Sequence, residues 1–183
     1  DVNPSRGLGD VYKRQAYMPR SGDLIIGYVA EVRNNLWFFD VNGPFQALLP
    51  MSLAPWKVEY GSTRQHLGIG DAALARIQEV DETHNMVLTM KGVGLRRLNE
   101  GAVVSIPVNL IDTLRGENNA TLSRIRDATN CRIIVGDNGR VWIHGDAEDM
   151  LTSRQLIQTL QQEGHKNTFE TAVLALENER GEH

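Results

Sequence analysis

Between residues 22 and 91, apolar positions recur at the two-residue spacing of half-buried strands. Asp23–Arg33 (DLIIGYVAEVR) reads as one long strand interrupted by Gly27, the kind of break at which a barrel strand bends. Asn34-Asn35 turns the chain. Over Leu36–Val41, alternation sends Trp37, Phe39 and Val41 to one face and Phe38 and Asp40 to the other. The one-sided trio suits a core, which leaves Phe38 as the aromatic expected at the surface. After Asn42-Gly43-Pro44 comes a third strand, Phe45–Leu49, and then a connection with Pro50, Pro55 and Trp56 that runs to about Gly70. Asp71–Val80, alternating at Ala73, Ala75 and Ile77, is a fourth strand, and Met86–Met90, beyond the polar turn Asp81–Asn85, is a fifth. Five strands with a long connection from third to fourth predict a five-stranded Greek-key barrel of the OB type.

The period changes after Lys91–Gly101 (KGVGLRRLNEG), a glycine-rich stretch read as a linker at 92–101. Ala102–Val108 is a further β run and Ile111–Leu114 a short helix. A loop opened by Gly116 leads to a helix whose stripe Leu122, Ile125 and Ala128 faces a core, with Arg124, Arg126 and Asp127 on the wet side. Cys131–Val135 and Arg140–His144 are apolar strands joined by Gly136-Asp137-Asn138-Gly139. Asn-Gly is a strong hairpin signal because both residues accept positive φ. Asp146 is a good N-cap, with Glu148 and Asp149 favoured in the first helical turn; Met150, Ile157 and Leu160 support a helix ending near Gly164. Thr168–Glu179 reads as a last helix with Phe169, Val173 and Leu176 on one side, either packed on the sheet of this domain or offered to a partner. The fold class is α+β in two domains: a barrel at 22–91, then a domain at 102–164 with the 165–183 helix behind it.

The opening residues Asp1–Gln15 are polar, without period, and resemble translated adapter sequence, so they read as a non-native tail, with 16–21 the remnant of a junction to a missing N-terminal domain. The 183 residues are 41% apolar and 23% charged with a formal net charge of −4. The chain therefore lacks the overall basic footprint of a general nucleic-acid binder, and any such binding must be local. The one cysteine, Cys131, excludes an intrachain disulfide and reads as a small buried hydrophobe in a reducing compartment. No apolar run is long enough to span a membrane, and a cytoplasmic location is the expectation. His66, His84, His144, His165 and His183 show no metal-ligand spacing with one another or with Cys131. Asp81-Glu82 is explained by a solvated turn, and Gly92-Val93-Gly94 lacks the third glycine of a dinucleotide loop. No enzyme is legible, and no cofactor is expected.

Two resemblances sharpen this picture. Helix, Gly116 loop, helix, strand, turn and strand resemble the KH RNA-binding domain, whose Gly-x-x-Gly loop clamps a few backbone nucleotides. Close approach of phosphate to main chain explains the glycines, and the following helix start supplies donors and a positive dipole end. Here the loop is Gly116-Glu117-Asn118-Asn119. Asn119 replaces the second glycine and is the non-glycine residue type that best tolerates the left-handed region, while Glu117 sets a carboxylate where phosphate would approach. Gly22-Asp23, Gly27-x-Val29, Trp37-Phe38-Phe39, Leu48-Leu49, Gly70-Asp71 and Val87–Lys91 resemble the RNA-binding barrel named after ribosomal protein S-one. On that resemblance Phe38 falls on an aromatic platform position for base stacking, and Pro50 stands at the family's histidine position.

The succession of barrel and single KH domain, with Tyr17–Asp23, Val87–Leu95 and Gly136–Ile143, resembles the RNA-binding cap subunit of the archaeal exosome, the Rrp-four type. The resemblance implies a non-catalytic protein, three copies of which guide RNA 3′ ends into a ring of phosphorolytic nuclease subunits. Single-stranded RNA and the ring subunits are the implied partners. Phe38, Lys91, Arg96, Arg97, Arg115, Gly116, Asn118 and Asn119 are the expected RNA contacts, the cations at 91, 96 and 97 being placed to follow a phosphate backbone between two RNA-binding surfaces. Trp142, alternating with Arg140 and His144, is either an inter-domain packing residue or part of a ring contact. Rival readings are a structural subunit with little RNA affinity and a fragment of another S-one/KH protein such as a transcription-elongation factor.

Overall fold

The computed structural model describes residues 17–161 and 165–181, so the tail at Asp1–Gln15 and the side chains of His165 and His183 lie outside the described residues. The chain divides into two compact units, one running to Asn99 and including Gly136–Asn138, the other formed by Glu100–Val135 and the residues from Gly139 onward.

In the first unit the alternating stretches form β1 (Leu24–Val32), β2 (Leu36–Asp40), β3 (Ala47–Pro50), β4 (Ala72–Val80) and β5 (Met86–Thr89). Their order is β1-β2-β3-β5-β4, and β1 also pairs with β4, closing a five-stranded barrel in which only the β3–β5 pair is parallel. The inner face carries Ile25, Trp37, Leu49, Ile77 and Leu88, each buried. Trp37 satisfies its indole by donating to the Leu67 carbonyl at 3.0 Å, as a buried tryptophan requires. Phe39 and Val41 share that face, as alternation predicts. Gly27 makes room for them. A Cβ there would stand 2.9 Å from the Phe39 ring, so the glycine lets β1 lie close over β2.

Several sequence expectations need correction here. The stretch expected as a linker at 92–101 carries a sixth strand, β6 (Arg97–Leu98), paired with Ala73 and Ala72 of β4. Two residues hold no period, so pattern could not show it. Tyr17, ahead of the expected barrel boundary, is buried and donates to Asp23 Oδ2 at 2.6 Å; desolvation, and next the Asp23 carboxylate, push its phenol far above the ordinary tyrosine range. Leu74, between the alternating Ala73 and Ala75, is buried as well, with its N–H donating to the Arg96 carbonyl at 2.8 Å. Gly139 has positive φ, but Asn138 does not. Asn138 is instead fully buried, its amide donating to the Ile26 carbonyl at 2.8 Å and the Val41 carbonyl at 3.0 Å. Its place is set by hydrogen bonding rather than by turn conformation.

The second unit is β7 (Ala102–Ser105), α1 (Ile111–Arg115), α2 (Ala120–Thr129), β8 (Arg132–Val135), β9 (Arg140–His144), α3 (Ala147–Gln158) and α4 (His165–Gly181). Its antiparallel sheet has the order β7-β9-β8. Leu122 and Ile125 of α2 meet Ile133, Val135, Val141 and Ile143 of the sheet in one core, which Cys131 joins. Phe169 and Val173 of α4 enter the same core as the sheet residues, and α4 lies against α2 and α3. Arg124 pairs with Glu177 across α2 and α4. Arg126, expected on the wet side, folds back half-buried, its Nε donating to the Ile133 carbonyl at 3.0 Å.

The Gly27–Phe39 fit is testable. Gly27→Val is expected to lower the unfolding free energy by about 1–3 kcal/mol, the range for overpacking, and Phe39→Leu in the same chain to return part of that loss. Denaturant unfolding of the single and double variants measures both, and additive losses would show that the two positions do not share space.

Candidate nucleic-acid interface

On the outer face of the barrel unit, cross-strand register lines up Glu31, Phe38, Leu48 and Val87 from four neighbouring strands. Phe38 is half-buried there, and the Arg33 guanidinium lies over its ring at 5.5 Å, within cation–π range. Arg33 Nε is held by Glu31 at 2.7 Å. Phe38 is thus outward, as expected, but partly covered. Arg33 was not legible as a site residue, because only the β1–β2 register brings it over the ring. Pro50 pairs with Leu36 at the end of the same strand set. Lys91, just past β5, is exposed.

Arg96 and Arg97 are brought together with two residues that pattern did not single out. Trp56 and His66, both half-buried in the β3–β4 connection, stack with ring centroids 5.2 Å apart and planes 19° apart. They and the two arginines line a cleft of about 410 Å³. Arg97 is steered by Asp71 at 3.3 Å and donates to the His66 carbonyl at 3.5 Å. β6 makes this arrangement: pairing Arg97 with Ala73 fixes where both guanidinium stems leave the backbone. Contacts inside an aperiodic 21-residue connection, from Met51 to Asp71, leave no trace in hydrophobic spacing.

In the second unit the loop Gly116-Glu117-Asn118-Asn119 stands between α1 and α2 with Glu117, Asn118 and Asn119 exposed. Gly116 has φ +70°, and a Cβ on it would collide with Thr121, whose backbone nitrogen would lie at 2.8 Å. Asn118 and Asn119 both occupy the left-handed region, at φ 54° and 61°. Asn119 therefore does what the second glycine of a Gly-x-x-Gly loop does, and Asn118 does so too, which the sequence reading did not foresee. Arg115 donates to the Val135 carbonyl at 2.8 Å, so its guanidinium helps hold the unit together. On the sheet face away from the core, the Trp142 and His144 rings stack at 5.6 Å, Arg132 lies over Trp142 at 5.8 Å, and the Trp142 indole donates to the Glu100 carbonyl at 2.6 Å.

Other chemistry is structural in character. Asp81 accepts from the Thr83 hydroxyl at 2.7 Å and the Asn85 N–H at 3.0 Å; these bonds, Thr83's first, hold its carboxyl below the ordinary range. Among the described residues no group of three or more His, Cys, Asp or Glu side chains is placed to hold a metal, and no helix is long and apolar enough to cross a membrane.

The loop makes a conformational prediction. Gly116, at φ 70° and ψ 178°, holds a backbone conformation that is close to glycine-only and costs another residue about 1–3 kcal/mol, so Gly116→Ala, which adds a clash with Thr121, is expected to lose at least that much. Asn119→Gly is expected to leave thermal stability unchanged or slightly higher. Melting curves of both variants followed by circular dichroism check this, and a neutral Gly116→Ala would contradict it.

A family model described as a KH domain matches residues 101–149. The exosome complex component Rrp4 of Thermoplasma volcanium is 34% identical over 149 residues, covering 81% of this chain and 63% of that protein. Rrp4 of Picrophilus torridus is 34% identical over 81% of this chain and 65% of its own length; that of Methanobrevibacter smithii is 30% identical over 87% and 53%. The chain thus spans slightly under two thirds of the first two relatives. A crystal structure of a proposed exosome complex RNA-binding protein superposes with a TM-score of 0.79 at 27% identity, over 90% of this chain and 97% of that one. With a closed barrel in one unit and a KH domain in the other, the chain resembles the archaeal Rrp4 family of exosome components over 81% of its length.

Proposed function

We propose that this protein is a non-catalytic RNA-binding cap subunit of an archaeal exosome, one that meets single-stranded RNA and guides its 3′ end toward a phosphorolytic ring. The observation that carries the reading is the succession of two RNA-binding fold types, closed barrel and KH domain, along one chain that is 34% identical to proteins named as exosome component Rrp4. The charge supports a particular version of it. At a net −4 the chain offers RNA no general attraction, so binding rests on local sets: Phe38 with Arg33, Arg96 and Arg97 beside Trp56, the exposed Lys91, and the Gly116–Asn119 loop. Each set is weak by itself. Three copies around one pore would add effective concentration to weak contacts, and avidity exceeds single-site affinity without any new contact.

A second reading, a structural subunit with little RNA affinity, is favoured by one set of observations. Glu117 is exposed on the loop, Arg97 is paired with Asp71, and Arg115 is held by Val135. Measurement of single-stranded RNA binding separates the two. Fluorescence anisotropy at low and moderate salt is expected to show salt-dependent binding, with Arg96→Ala and Lys91→Ala each lowering the log–log salt slope by about 0.7. Phe38→Ala is expected to weaken binding by roughly fivefold or more, as loss of a stacking ring does. Co-elution with an archaeal nuclease ring but no RNA binding in any condition would establish the structural reading instead.

A further inference from the structure

The cleft at the β3–β4 connection carries more chemistry than packing needs. A Trp–His stack that served only the barrel core would be enclosed by apolar side chains. Here Trp56 and His66 are half-buried, with Arg96 and Arg97 beside them and the exposed side-chain amides of Gln65 and Asn99 on the same lining. The amides of Gln65 and Asn99 make no hydrogen bond among the described residues. Both arginine positions are anchored through the backbone, Arg97 by β6 and Arg96 by the bond from Leu74 N–H to its carbonyl, so the cleft is in place before any ligand arrives. Its volume of about 410 Å³ falls within the ~300–1,000 Å³ of small-ligand pockets. A ring face, guanidinium groups and two carboxamides at one opening are the three group types that an unpaired nucleotide engages, through its base face, its phosphate and its base edge.

We infer that this cleft receives one unpaired nucleotide of a single-stranded RNA. The base stacks on the side of Trp56 that His66 leaves uncovered, its phosphate lies beside Arg96, and Gln65 and Asn99 read its edge. The inference rests on the RNA-binding reading above and adds to it a base-sized subsite, in which a carboxamide, with a donor beside an acceptor, can bond the edge of either adenine or uracil.

Tryptophan fluorescence makes the test direct, because Trp37 and Trp142 are 0% and 4% exposed and Trp56 is the half-buried one. The full 183-residue chain is titrated with short oligo(A) and oligo(U). Both are expected to quench the fluorescence, and Gln65→Ala with Asn99→Ala is expected to weaken the binding of each. Trp56→Ala is expected to weaken oligo(A) binding roughly 5- to 150-fold, whereas Trp56→Phe, which keeps a stacking ring, retains most of the affinity. Equal losses in Trp56→Ala and Trp56→Phe would mark a structural residue and overturn the inference. Oligo(A) binding without quenching, and within about twofold of wild type in Trp56→Ala, would retire the nucleotide cleft and leave RNA binding elsewhere on the chain intact. Failure of the chain to bind either oligonucleotide would retire both readings.

Discussion

What the barrel unit can show to a ligand is decided by the closure of β1 against β4. Joining the two ends of a five-stranded sheet gives it an inside, and that inside takes Trp37, Phe39, Ile25, Leu49 and Leu88 out of water. Each large side chain fully buried contributes about 1.5–3 kcal/mol, so the unit's aromatic content goes first to stability. The packing of β1 over β2 needs Gly27, since a side chain there would meet the Phe39 ring. After that, the barrel retains few rings for recognition. Phe38 remains on the outer face and Trp56 and His66 remain in the β3–β4 connection, and each ring set has a guanidinium within reach. The result is an acidic chain in which Phe38 and the Trp56–His66 pair each keep a guanidinium beside them.

The KH unit solves a different problem. Its loop must turn between α1 and α2 within four residues, and the space beside Thr121 admits only glycine at position 116. Two asparagines then hold the left-handed backbone. Close main-chain approach is preserved by this, while Glu117 sets a like charge before any phosphate. Arg115 and Arg126 each donate to a backbone carbonyl of this unit, that of Val135 and that of Ile133.

How far the sequence could be read depended on the range of each signal. The five barrel strands follow local periodicity and lie within two residues of where pattern puts them, and Phe38 faces outward for the same reason, whereas β7 ends three residues short of Val108 and α4 begins three residues before Thr168. Strand β6, with two residues, has no period to detect. Asn138 is read from sequence as half of a turn, yet its role comes from bonds to Ile26 and Val41, 112 and 97 positions away. Trp56 and His66 stack across an irregular connection, and Arg33 reaches Phe38 only through hairpin register, so neither pairing leaves a spacing signature. The candidate site was therefore legible as residue types on a resembled fold, and its side-chain neighbourhoods required the structure.

If RNA is met by a few local cation–aromatic sets and the KH loop, and not by the surface at large, backbone amide NMR of the isotope-labelled chain with single-stranded RNA added stepwise shows salt-sensitive shift changes confined to Arg33 and Phe38, to the Trp56–His66 and Arg96–Arg97 segments, to Lys91 and to Gly116–Asn119. Changes spread evenly over the surface, or absent from all of these segments while RNA binds, would contradict it.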